Sequence, residues 1–131
     1  MEGVEILEPE REMTLVTVNV QGKMKDPMAR LKVGRYLHQA QADWGIGTET
    51  QLAEPLTGTL GGYAAKYSCL KEKDGGGHTG GVAHFSPKAQ EENIDWWEPM
   101  PGRICVAKLK GGQERWIVGV YVPAQQGRER T

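Results

Sequence analysis

The chain has 131 residues, with 16 Lys and Arg against 17 Asp and Glu, for a formal net charge of −1. That length fits one domain with a modest core, and the charge balance excludes a chain held to nucleic acid by its net charge, though not a local basic groove. No apolar run approaches the 18 residues of a membrane-spanning helix. Residues 1–13 carry Glu2, Glu5, Glu8, Glu10 and Glu12, the reverse of a cationic secretory leader.

From these features we expect an intracellular protein, cytoplasmic or nuclear, with no membrane partner. Cys69 and Cys105 lack metal-type spacing and read as two thiols of a reducing compartment. Residues 1–12 read as an acidic, poorly ordered tail. Residues 13–131 form the domain.

The stretch from Met13 to Gly22 alternates with period 2 and is rich in β-branched residues, which predicts a strand. Thr14, Val16, Val18 and Val20 share one face. Asn19 and Gln21 are polar residues at the C-terminal end of the other. Asp26-Pro27 then reads as an N-cap followed by proline at the first helical position. The helix runs to about Ala42, and Leu31, Tyr36 or Leu37 should cover a sheet.

A second strand covers 44–49, where Trp44, Ile46 and Thr48 share a face and Glu49 shares the other with two glycines. A loop follows to residue 60, then a third strand over 63–70. Asp74 to Gly81 reads as a glycine-rich loop around His78. It lacks the GK[ST] ending of a phosphate-binding loop. Val82 to Phe85 is a strand that Pro87 ends. His84 in that strand reads as a core residue, and His38 as a surface residue of the helix. Trp96 and Trp97 fall in an acidic loop and read as the cap of a core edge. Residues 103–109 and 114–122 read as a hairpin. In its second strand Trp116, Val118, Val120 and Val122 line one face.

Four short stretches stand in a telling order. They are Thr17-Val18-Asn19-Val20-Gln21-Gly22, Thr48-Glu49-Thr50, Gly80-Gly81-Val82-Ala83 and Val120-Tyr121-Val122-Pro123. This order resembles the N-terminal half of the endonuclease/exonuclease/phosphatase superfamily, which includes exonuclease III-like apurinic endonucleases and LINE-type retroelement endonucleases. The resemblance covers residues 13–124. It departs from the usual pattern at Thr17, Thr48 and Ala124. The second half of that family supplies Asp-x-Asn and Ser-Asp-His motifs, and this sequence contains neither.

The resemblance implies an α+β fold, half of a four-layer α/β/β/α sandwich, with one mixed sheet covered by one main helix. It implies weak Mg²⁺ (or Mn²⁺) binding by Glu49 and Asn19, and catalytic contributions from Asn19 and Tyr121. Chemically, Mg²⁺ takes one or two carboxylates plus water and phosphate oxygens, a role Glu49 suits. An amide oxygen such as that of Asn19 completes or orients such a shell. The implied substrate is DNA or another phosphodiester, once the other half completes the domain. The family's general base is the histidine of the absent motif, so the chain is expected to be inactive alone. A half fold also leaves apolar strand faces that invite self-association or a partner chain. A truncated non-catalytic binding module, or a retroelement remnant, is the alternative.

Overall fold

The first strand, β1 (Leu15–Asn19), keeps the alternation of its sequence, with Val16 and Val18 turned inward and Leu15, Thr17 and Asn19 outward. It pairs in parallel with β2 (Trp44–Thr48), register Leu15 to Trp44 through Asn19 to Thr48. Parallel neighbours need a crossover, and α1 (Pro27–Gln39) supplies it. The computed structural model describes residues 12–70, 80–111 and 114–122. The acidic tail up to Arg11, His78 with its glycine loop, the tip of the last hairpin and the stretch from Pro123 onward lie outside them.

The start of α1 is written in its sequence. The Asp26 carboxylate accepts the Met28 N–H at 3.0 Å, and Pro27 occupies the first turn. Helical register places Val33 and Leu37, four residues apart, against the sheet. Of the three residues expected to cover the sheet, only Leu37 does so. Leu31 and Tyr36 project into solvent, because the face that carries Val33 and Leu37 excludes them.

β3 (Tyr63–Ser68) and β4 (Val82–Pro87) complete a mixed four-stranded sheet in the order β1-β2-β4-β3, with β4 antiparallel to both neighbours. The helix covers one face. Gly45 and Gly47 face that side, and they are packing glycines. A Cβ on Gly45 would stand 2.7 Å from Cδ2 of Leu37, and one on Gly47 would stand 3.1 Å from the Phe85 ring. The glycines of β2 therefore let helix and ring lie directly on the strand. The Tyr63 hydroxyl reaches the Ala42 carbonyl at 2.8 Å and ties the end of the helix down.

The α+β class and the mixed sheet under one main helix agree with the expectation. The strand inventory is larger. β5 (Ile94–Met100), β6 (Ile104–Leu109) and β7 (Arg115–Val120) form a separate antiparallel sheet in the order β5-β6-β7. The mixed sheet under its helix thus packs face to face against a second, antiparallel sheet. β4 already has a neighbour along each edge, so the chain after Pro87 turns through a 3-10 segment, Lys88–Asn93, into a new layer. Trp96 and Trp97 belong to β5 and not to a loop. Trp96 packs inward against the core between the sheets, and Trp97 points out.

The layers are therefore helix, mixed sheet and antiparallel sheet. Met24, Leu37, Tyr67 and Phe85 lie in the core under the helix. Trp44, Val82, Cys105, Ala107 and Ile117 lie in the core between the sheets. The sheets approach closely at β4 and β7, where a Cβ on Gly119 would stand 2.9 Å from Nε2 of His84. His84 is fully buried, as the sequence suggested. Both cysteines are free thiols.

Candidate active-site rim

β1 and β2 run side by side, so their C-terminal ends open on the same edge of the sheet. Asn19 closes β1, and Glu49 directly follows Thr48, its partner across the pair. The Asn19 amide Nδ2–H donates to Oε2 of Glu49 at 2.8 Å. Its Oδ1 accepts the Gln21 N–H at 3.0 Å. Both ends of the Asn19 amide are fixed in this way, and the carboxylate is oriented by a charge-assisted bond. No protein group among the described residues bonds to Oε1 of Glu49.

The backbone at this edge is unusual. Gln21, Glu49 and Gln51 all have left-handed dihedrals, with φ of 47°, 60° and 55°. Such conformations cost on the order of 1–3 kcal/mol each outside glycine. The surrounding hydrogen bonds hold them. The Gly22 N–H donates to the Glu49 carbonyl at 2.7 Å, Glu49 N–H to Gly81 at 2.9 Å and Gln51 N–H to Gly80 at 2.8 Å. Gly80 and Gly81 adopt φ of 103° and 97°, values that favour glycine. A side chain on Gly81 would also collide with the Thr50 hydroxyl, which is buried and has no hydrogen-bond partner among the described residues.

Tyr121 joins the same edge from the second sheet. Its N–H donates to Arg103 at 2.8 Å, and its ring borders Gly80, within 3.0 Å of where a Cβ there would stand. The chain of contacts runs from Tyr121 to Gly80, through the Gly80 carbonyl to Gln51, and from Gln51 along the backbone to Glu49. All three expected site residues thus lie on one rim, with Asn19 and Glu49 in direct contact.

Gln51 is the rim residue that sequence reasoning missed, and Gln21 and Thr50 stood in the quoted stretches without a role assigned to them. Their only signal in the sequence is their position beside Asn19, Glu49 and the glycines. The two described histidines are elsewhere. His38 is exposed on α1, and His84 is sealed between the sheets. Among the described residues no three His, Cys, Asp or Glu side chains cluster as a metal site, so the donor set here is one carboxylate with a neighbouring amide. Oxygen donors of this kind fit a hard cation that keeps most of its water.

No protein-family model and no curated protein matches the chain. Solved structures do. An AP endonuclease from Archaeoglobus fulgidus is 22% identical, with a TM-score of 0.59, over 86% of this chain and 42% of that one. The AP endonuclease LMAP from Leishmania major is 16% identical, with a TM-score of 0.63, over 95% and 44%. D. rerio TDP2, solved with a single-strand DNA product, is 12% identical, with a TM-score of 0.51, over 90% and 49%. The chain spans less than half the length of each. No described helix is long and apolar enough to cross a membrane. By fold, this chain is similar to part of the AP endonucleases and of TDP2.

Proposed function

We propose that the chain is the N-terminal half of a divalent-metal-dependent phosphodiesterase domain of the apurinic or retroelement endonuclease type, inactive by itself. The observation that carries this reading is the Glu49 carboxylate, held by Asn19 at the rim where β1 and β2 end. Glu49 would hold Mg²⁺ or Mn²⁺, and Asn19 fixes the direction of the carboxylate. When bound, such a cation supplies Lewis-acid polarisation of the phosphodiester. Tyr121 contributes a hydroxyl able to donate to a phosphate oxygen. The left-handed backbone at Glu49 and Gln51 shapes the turn that carries the carboxylate.

The described rim lacks a proton acceptor for the attacking water. The ring nitrogens of His84 are both engaged inside the core, and His38 sits on the helix. A positioned general base is worth about 10²–10⁴-fold. The chain with Mg²⁺ and abasic-site DNA is therefore expected to show background cleavage only. Cleavage above background that disappears in Glu49→Ala would overturn the proposed inactivity. Cleavage lost instead in His78→Ala would assign the base to the glycine loop.

A second reading has its own observation. The outer face of the second sheet carries Trp97, Met100, Trp116, Val118 and Val120, all about half exposed or more. A partner-binding module without catalysis would use that face. In either reading DNA is the phosphodiester partner only of a completed domain.

A further inference from the structure

The outward stripe of α1 takes no part in the core. Arg30, Leu31, Arg35 and His38 recur there at helical spacing and form one wall of a groove of about 580 Å³. The turn Thr59–Gly62 forms the other wall. The two walls meet at Gly34, where a Cβ would stand 3.4 Å from the Leu60 backbone, so the helix touches the turn there. The floor is apolar, made by Leu31, which is 48% exposed, and by Leu60.

The rim of the groove is cationic and has no carboxylate. Arg30 is anchored by donating to the Met24 carbonyl at 2.7 Å. The Arg35 and His38 side chains have no hydrogen-bond or ion-pair partner among the described residues. Between Lys23 and Gln39 there are five Lys and Arg against Asp26 alone, in a chain of net charge −1. Asp26 is occupied in capping the helix.

We propose that this groove docks an acidic peptide segment of a partner protein. The dimensions set the motif. Arg30 and His38 are eight residues apart, about 12 Å along the helix, which an extended peptide crosses in about four residues at about 3.3 Å each. An apolar side chain seats on Leu31 and Leu60. Carboxylates on either side pair with Arg35 and with Arg30 or His38, charge-assisted bonds that Arg makes well. A nucleic acid suits the groove less well, because the floor is aliphatic and no Phe, Tyr or Trp lines it. The proposal is independent of the metal reading of the rim.

The test is fluorescence anisotropy on the full chain with a labelled synthetic hexapeptide, Glu-Leu-Glu-Glu-Leu-Glu. Its Lys-Leu-Lys-Lys-Leu-Lys counterpart and a labelled single-stranded oligothymidylate serve as comparators. The acidic peptide should bind, salt should weaken it, and Arg35→Glu and Leu31→Ser should each weaken it about tenfold. Both substitutions are at exposed positions, and circular dichroism should show unchanged folds. Arg35→Gln replaces Arg35→Glu if the latter misfolds. Absence of binding, or equal binding by the wild type and the Arg35 variant, overturns the proposal. So does Arg35-dependent binding of the oligothymidylate without binding of the acidic peptide.

Discussion

The indole Nε1–H of Trp44 donates to Nδ1 of His84 at 2.8 Å, in the core between the two sheets. Indole nitrogen can only donate, so Nδ1 must be unprotonated. The tautomer is therefore fixed: Nε2 carries the hydrogen and donates to the Cys105 carbonyl at 2.8 Å. Trp96 packs on the same ring, with centroids 5.2 Å apart. One imidazole thus links β2, β4 and β6 and joins the two sheets.

This arrangement predicts acid sensitivity. Burial pushes the His84 pKa below its ordinary value of 6.5, against a smaller opposing effect of its bond to the Cys105 carbonyl. The folded pKa is depressed, so the stability His84 provides is complete above the unfolded value. It is lost as the pH falls from there toward the folded value. Below 6.5 the loss should grow as the pH falls. Urea melts at pH 7.5 and 5.5 should show it, in the wild type and less in His84→Gln. Equal pH slopes in the two proteins would contradict the assignment.

Leu37 is fully buried under the helix, with its Cδ2 lying on Gly45. Leu37→Ala should cost about 2–5 kcal/mol, because the Tyr63 tether to the Ala42 carbonyl limits collapse of the helix onto the sheet. Leu31→Ala, on the exposed side, should cost much less. Chemical denaturation of both variants checks the helix register. Similar losses would contradict it.

The outer face of the second sheet forms a grid set by strand register. Trp97, Val106 and Val118 make one row, and Met100, Ile104 and Val120 the next. Lys108, in contact with Trp116, borders them. Contiguous apolar faces of this kind mark association sites on soluble proteins. The purified chain should self-associate in light scattering, and Val118→Lys should reduce association while leaving the thermal melt intact. A monomeric wild type would contradict this.

The helix cap, the buried Leu37 and the buried His84 were legible from local chemistry and pattern, whereas Asn19, Glu49 and Tyr121 were named as a site only through the family resemblance. Of the second sheet, the hairpin of β6 and β7 was legible and the edge strand β5 was not. The acidic residues around Trp96 and Trp97 suggested a loop. In the fold their charges serve as salt-bridge partners along an edge strand, as with Asp95 and Lys110 at 3.2 Å and Glu98 and Lys66 at 3.4 Å. The left-handed backbone at Gln21, Glu49 and Gln51 left no trace in residue type, since none is glycine. Tertiary hydrogen bonds impose it.

In the proposed function the Glu49 carboxylate is the rim's oxygen ligand for a divalent cation. Isothermal titration of the full chain with Mg²⁺ and Mn²⁺ tests it most directly. One carboxylate with mostly water in the shell should give weak binding, about millimolar. Glu49→Ala should abolish that binding, and Asn19→Ala, which frees the carboxylate from its orienting bond, should weaken it. Cation binding that persists unchanged in Glu49→Ala would contradict the account.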